Sequence, residues 1–235
     1  MCMNTNKKIG QLYIVATPIG NPKDITLRAL EILEEVDAVI CEEYRQGSRL
    51  LHRLGIDNEL IPLNEHNEEE EAQNIMLRLA QGEHMAIVSD AGTPVFADPG
   101  QHLLDLLYQM GIPVSPVPGP ASLTTALSLC NFSIDRFVFA GFPPRQTQHR
   151  IGFLEKYRTI NVPLVLMDTP YRLTKLLSEV ETVFGGNADI LLACDLTQKG
   201  ERIYRGPVKE ILLKVSGQKR EFILIVNLNK RKRYG

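Results

Sequence analysis

Residues 85–100 read MAIVSDAGTPVFADPG, and this stretch decides the fold. Met85, Ala86, Ile87 and Val88 form a short apolar run of the kind that makes a fully buried strand, and the run stops at Ser89-Asp90. Ala91 and Gly92 have almost no side chain, and Pro94 and Pro99 fix the backbone. Gly100 opens a helix in which apolar residues recur at Leu103, Leu106, Leu107 and Met110. A strand that ends in a stiff, small-residue loop and passes into a helix is the unit of an open α/β sheet, where ligands sit outside the carboxyl ends of the strands. For an isolated Gly-Thr-Pro, a tight turn that merely spares bulk would be the better account. The recurrence of such loops elsewhere favours a ligand site.

Upstream, residues 11–16 form a second buried strand that breaks at Thr17-Pro18-Ile19-Gly20-Asn21-Pro22. Asp24 is expected to cap the helix that follows, with Leu27, Leu30, Leu33 and Val36 on its inner face. A strand at 38–41 ends in Glu42-Glu43-Tyr44-Arg45, and a helix carrying Leu50, Leu51 and Leu54 follows it. A further strand at 59–63 ends in Asn64-Glu65-His66-Asn67-Glu68, and a helix over 69–80 returns the chain to the central strand. Strand and helix alternate throughout, which implies right-handed crossovers and a mostly parallel sheet.

Downstream, 113–117 is a strand and Pro118-Gly119-Pro120-Ala121-Ser122 is the expected hinge, leading into a small-residue helix over 123–129. Strands follow at 136–141, 162–167, 189–194, around Ile203-Tyr204 and at 222–227, with a helix over 208–215 before the last. Strands that succeed one another without a helix pair antiparallel, so this half predicts a mixed sheet. The fold class is α/β with two domains: a mostly parallel N-terminal α/β domain over 1–116 and a mixed-sheet C-terminal α/β domain over 117–235.

The 235 residues are 44% hydrophobic and 23% charged, the balance of a globular protein with ample core. The longest apolar runs are too short to cross a bilayer and the N-terminus lacks a signal-peptide core, so a cytoplasmic location without membrane association is expected. Cys2, Cys41, Cys130 and Cys194 are scattered without a C-x-x-C pair, so neither disulfides nor a metal site is expected. A net charge of −2 gives no global attraction to nucleic acid; the local exception is Lys230-Arg231-Lys232-Arg233, which reads as a solvated tail.

The glycine-rich dinucleotide and phosphate motifs, the hydrolase elbow and the zincin motif are absent from the sequence. The loops offer backbone groups and flat apolar walls in place of charged clamps, which suits a ligand with a purine, a ribose and an amino-acid tail. The residues alone argue only for a nucleoside-type ligand in an α/β cleft, beside the alternative of three structural turns.

The ordered set Ala16-Thr17-Pro18-Ile19-Gly20-Asn21, Asp24-Ile25-Thr26-Leu27-Arg28-Ala29-Leu30, Glu65-His66-Asn67-Glu68, Ser89-Asp90-Ala91-Gly92-Thr93-Pro94, Asp98-Pro99-Gly100, Pro118-Gly119-Pro120 and Gly141-Phe142-x-Pro resembles the tetrapyrrole methylase superfamily. Within it the chain is most similar to the small-subunit ribosomal RNA 2′-O-methyltransferase I family, which methylates a cytidine ribose. The resemblance implies S-adenosylmethionine as methyl donor, bound in a cleft between two domains, and a homodimer with small-subunit rRNA as partner. The implied donor contacts are Thr17, Pro18, Asp90, Gly92, Thr93, Phe96, Ala121, Ser122, Met167 and Leu196.

Three departures accompany the resemblance. Cys41-Glu42-Glu43-Tyr44-Arg45 replaces Ala-Glu-Asp-Thr-Arg, and Cys194-Asp195-Leu196-Thr197-Gln198 replaces Arg-Glu-Leu-Thr-Lys. The family's small C-terminal helical domain is expected to be missing. These leave two alternatives open, a different acceptor (a tetrapyrrole-like small molecule or another RNA) and a non-catalytic relative that retains the donor.

Methyl transfer from a sulfonium is an in-line displacement, so the protein aligns the reactants and excludes water. A ribose hydroxyl benefits from a base within hydrogen-bond reach. Glu42, Glu43, His66 and Glu68 are the candidates, Glu43 and His66 foremost. Arg45 is set beside them as a catalytic-site candidate, and with Arg145 it could hold a phosphate through its fixed fork. Arg150 and the 230–233 cluster complete the positive candidates for RNA.

Overall fold

β4 (Met85–Val88) is enclosed on both sides, pairing in parallel with β1 (Leu12–Val15) and with β2 (Ala38–Cys41). The computed structural model, which describes residues 8–96 and 99–229, extends this sheet with β3 (Glu59–Pro62) beyond β2 and β5 (Val114–Val117) beyond β1. The order is β3-β2-β4-β1-β5 and every pairing is parallel, as the strand–helix alternation predicts.

Successive side chains of a strand point to opposite faces. Met85 and Ile87 therefore join one apolar layer, with Ile75 and Leu79 of α3 (Glu68–Ala80) and Leu103 and Leu107 of α4 (Gln101–Gln109). Ala86 and Val88 join the other, with Ala29 and Leu33 of α1 (Leu27–Glu35) and Leu51 of α2 (Tyr44–Leu54). The steps β1 to β2 and β2 to β3 run toward one edge, and β3 to β4 and β4 to β5 run toward the other. Right-handed crossovers then put α1 and α2 on one face and α3 and α4 on the opposite one.

The start of α1 differs from the expectation. Thr26, not Asp24, is its cap: the Ala29 N–H donates to Thr26 Oγ1 at 3.2 Å. Asp24 ends a short 3-10 turn, Pro22–Asp24, capped in its own right by Asn21, whose side chain accepts from the Lys23 N–H at 3.1 Å. Proline at a first helical position starts that turn, and Ile25 then returns to an extended conformation, so the helix begins afresh.

The chain divides into two compact units, the first ending at Ala121 and the second beginning at Ser122. The second unit holds α5 (Ser122–Leu127), β6 (Val138–Gly141), α6 (Thr147–Glu155), β7 (Leu164–Asp168) and α7 (Leu173–Phe184), then β8 (Asp189–Cys194), β9 (Arg202–Pro207), α8 (Val208–Val215) and β10 (Phe222–Val226). Its sheet runs β6-β7-β10-β8-β9; β6 and β7 are parallel and the other pairs antiparallel, the mixed sheet expected where β8 passes to β9 without a helix. Leu166, Leu192 and Leu224 of that sheet pack with Leu176, Val180 and Ile211 of α7 and α8. Among the described residues no helix is long and apolar enough to cross a membrane.

Candidate functional site

The chain leaves β2 toward one edge of the first sheet and leaves β4 toward the other, so a crevice opens outside their carboxyl ends. A cavity of about 180 Å³ lies there. Its walls include Cys41 at the end of β2, Ser89 and Asp90 after β4, Pro18 after β1, and Arg49 and Arg53 on α2. Gly47 lets α2 come this close to β2, because a Cβ there would fall 2.6 Å from Cys41 Sγ and 3.1 Å from Leu60 Cδ2. Burial first, and the neighbouring Asp90 charge second, push the Cys41 thiol up to about 11, so it sits in the wall as a protonated, unreactive group.

Beside the cavity the loops after β1 and β4 are locked together. The Thr17 N–H donates to Gly92 O at 2.8 Å, the Gly92 N–H donates to Thr17 O at 3.0 Å, and Thr17 Oγ1 donates to Ser89 O at 2.9 Å. Gly92 has φ +89, a conformation that side-chain-bearing residues rarely adopt. Val95, further along the same loop, has φ 66, an outlier for a β-branched residue and of the kind that concentrates at ligand sites.

Of the donor contacts expected in the first unit, the structure therefore brings four together. Thr17 and Gly92 are buried and bonded to each other, while Pro18 and Asp90 line the cavity. Thr93 and Phe96 are exposed on the continuation of the loop, and Ala121 is half-buried at the end of the unit. Asp98 of the same motif lies outside the described residues. In the second unit Ser122 begins α5, Met167 pairs with Ile223 across β7 and β10, and Leu196 follows β8. Leu196 is nearly buried and sits between Asp195 and Thr197, both of which have positive φ. Asp195 anchors that turn by accepting from Arg220 Nη1 at 2.6 Å and from the Glu221 N–H at 3.1 Å.

The catalytic candidates are placed separately. Glu43 is exposed at the N-terminal boundary of α2, with Arg45 in its first turn. His66 is exposed in the loop after β3, where its N–H donates to Asn64 Oδ1 at 3.0 Å. Glu68 is otherwise occupied: its Oε1 accepts from the Gly100 N–H at 2.8 Å and the His102 N–H at 3.1 Å, capping α4. It is a structural carboxylate and is withdrawn as a base.

Arg150 is likewise corrected. It is fully buried, paired with Glu179, and it donates to the carbonyls of Pro144 and Arg145 at 2.9 and 2.8 Å, so it holds a loop and does not reach solvent. Arg145 itself is exposed on that loop, and the 230–233 cluster lies outside the described residues. Among the described residues no three His, Cys, Asp or Glu side chains are grouped to hold a metal.

Arg49, Arg53 and Gly47 had no place in the sequence reading. The signal was present in the spacing of four that links Arg45, Arg49 and Arg53, but only the position of α2 against the crevice gives it meaning.

The sequence matches the family described as Tetrapyrrole (Corrin/Porphyrin) Methylases over residues 11–212. A protein of Escherichia coli O157:H7 named Ribosomal RNA small subunit methyltransferase I is 40% identical over 225 residues, 94% of this chain and 79% of that one. A protein of the same name from Leptospira biflexa serovar Patoc is 35% identical over 230 residues, 97% of this chain and 95% of that one. A crystal structure of diphthine synthase superposes with a TM-score of 0.74 over 93% of this chain and 90% of that one, at 16% identity, which is a likeness of fold.

Proposed function

The chain belongs to the tetrapyrrole (corrin/porphyrin) methylase family, and from that membership we propose that it transfers a methyl group from S-adenosylmethionine to a ribose 2′-hydroxyl of small-subunit rRNA. The observation that carries the rRNA acceptor is 35–40% identity, over nearly the whole chain, to proteins named for that substrate. The Leptospira relative carries the name although this chain spans 95% of it, so the name does not depend on the further length of the Escherichia coli relative. An rRNA substrate is consistent with a cytoplasmic protein.

The residues after β1 and β4 fit the donor. A buried glycine at φ +89 keeps the loop thin where backbone groups meet a ligand, and the Asp90 carboxylate at the cavity wall is an acceptor suited to ribose hydroxyls. Thr17, Pro18, Asp90, Gly92, Thr93 and Phe96 are the proposed contacts from the first unit, and Ala121, Ser122, Met167 and Leu196 the further ones. S-adenosylmethionine, when bound, supplies an electrophilic methyl on a sulfonium. Glu43 or His66 accepts the proton of the acceptor hydroxyl, and Arg45 and Arg145 hold adjacent phosphates. Positioning and exclusion of water supply the rest.

A homodimer is proposed as the working form, because two copies related by a two-fold axis double the surface available to a large RNA. Light scattering at micromolar concentration then returns twice the 26.4 kDa chain mass; the single mass overturns it. The function is tested by incubating the protein with labelled donor and small ribosomal subunits from cells lacking the gene. Label on one ribose, read by mass mapping, supports it. Donor binding without transfer to any RNA, or no donor binding in calorimetry, overturns it.

A further inference from the structure

Three features of the structure lie outside the proposed donor contacts and catalytic groups: the Arg150–Glu179 pair, the exposed Tyr171 under Lys219, and the outer face of α2 beyond Arg45. The third carries an inference. At about 100° per residue, positions 45, 49 and 53 of a helix advance only slightly round its axis, so Arg45, Arg49 and Arg53 form one stripe, with His52 on its flank. All four are exposed, and the stripe points away from Gly47 and Leu51, the buried residues of the helix.

Arg45 and Arg53 have no hydrogen bond or ion pair among the described residues. Arg49 has only a 3.5 Å contact with Gln46 Oε1 on its own helix. Four other arginines are each paired with a carboxylate: Arg78 with Glu59 and Glu83, Arg150 with Glu179, Arg172 with Asp168, and Arg220 with Asp195. Three unspent guanidinium groups one turn apart, on a chain of net charge −2, are a local concentration of charge without an internal partner. Arg49 and Arg53 also wall the cavity at the carboxyl ends of β2 and β4. The carboxylates nearby are Asp90 in the same wall, Glu42 and Glu43 at the start of α2, and Asp57 beyond its end, which lines a second cavity with His52.

We propose that this stripe is a phosphate-backbone surface for the acceptor RNA, with Arg49 and Arg53 gripping successive phosphates of the strand that leads into the crevice. Each turn of the helix presents one guanidinium, a planar donor fork matched to phosphate oxygens. Such contacts position an RNA without reading its sequence. The assignment rests on the rRNA reading above and adds the place where the acceptor is held.

The test is binding of a small-subunit rRNA fragment, and of an unrelated RNA of equal length, to the full protein at several salt concentrations without donor. The variants are Arg49→Gln with Arg53→Gln, and separately Arg49→Lys with Arg53→Lys. For single strands each phosphate contact contributes about 0.7 to the slope of log affinity against log salt, so the glutamine pair lowers that slope by about 1.4 for both RNAs. The lysine pair keeps it, and donor affinity is measured by calorimetry in all forms, because Arg49 and Arg53 share the cavity wall with Pro18 and Asp90.

An unchanged slope in the glutamine pair, with wild-type methyl transfer intact, overturns the phosphate surface and leaves the function standing. A parallel loss of donor affinity also overturns it, assigning the stripe to the donor pocket. Absence of donor binding and of transfer in the wild type overturns the function, while the RNA slope still decides the stripe.

Discussion

Thr17 and Gly92 exchange two backbone hydrogen bonds, at 2.8 and 3.0 Å, although 75 residues separate them in the chain. This bridge fixes the loop after β1 against the loop after β4, and it requires the Gly92 backbone to stand at φ +89. A Cβ at Gly92 would make ordinary contacts, 3.4 Å to Ile19 Cγ2 and 3.8 Å to Pro120 O, so space alone does not exclude a side chain. The backbone conformation does. Gly92→Ala is therefore expected to cost about 1–3 kcal/mol of stability through strain, and Gly92→Val, β-branched, to cost at least as much. Calorimetric donor affinity should fall in both, with the fold retained in circular dichroism. A full-affinity Gly92→Val protein would remove this loop from the donor site.

The Arg150–Glu179 pair supplies a second prediction. Arg150 is fully buried, and Glu179 Oε1 accepts from its Nη2 at 2.6 Å. Removing one partner of such a pair leaves an uncompensated buried charge, which costs about 3–5 kcal/mol. Arg150→Met should lose that much in denaturant unfolding, and Glu179→Leu a comparable amount. The double variant should lose far less than the sum. Additive losses would mean that the two groups do not act as a pair. Because Arg150 also donates to the Pro144 and Arg145 carbonyls, Arg150→Met should expose the 142–145 loop to protease even where the fold survives.

These two cases mark what the sequence discloses. The bounds of β2, β8 and α8 were legible to the residue, because each is an apolar or periodic run closed by charged or turn-forming residues. The start of α1 was not, since Asp24 and Thr26 are both competent caps and only the 3-10 turn at Pro22 decides between them. Arg150 read as a surface cation because its partner is 29 residues away on another helix. Glu68 read as a loop acid because the helix it caps begins 33 residues later, at Gln101. The small-residue loops after β1 and β4 were visible one by one, whereas their pairing follows from strand order, which no local pattern encodes.

Asp168 gives a pH-dependent prediction. Its carboxyl is buried at the end of β7, with Oδ1 accepting from the Thr169 N–H and Arg172 Nε, both at 2.6 Å, and Oδ2 without a hydrogen-bond partner among the described residues. Burial raises its pKa above the ordinary 3.8, outweighing the Thr169 and Arg172 contacts that lower it. A carboxyl whose pKa is higher in the folded state favours folding when protonated. Its contribution is complete below 3.8 and is lost as pH rises through the raised value. Asp168→Asn lacks this titration, so the stability of the wild type relative to Asp168→Asn should decline as pH rises from about 4 toward neutrality. A difference that is flat with pH, in denaturant midpoints, would contradict it.

The last prediction concerns the proton of the acceptor hydroxyl. Glu43 and His66 stand exposed at the carboxyl ends of neighbouring strands β2 and β3, and neither side chain caps a helix: α2 has no side-chain cap bond from Glu43, and only the His66 backbone is engaged, with Asn64. Glu68, another acid at a strand's carboxyl end, is committed to α4. If one of the two exposed groups accepts the proton, its removal should lower kcat by 10²–10⁴-fold, about the contribution of a single general base. Donor and RNA affinities should stay near wild type, because the group acts on a bond that changes only in the transition state. Glu43→Gln and His66→Asn separate the candidates, each keeping polarity and approximate shape. Two variants with wild-type kcat would remove both groups as the base, leaving Glu42, directly after β2, or alignment of hydroxyl, methyl and sulfur alone.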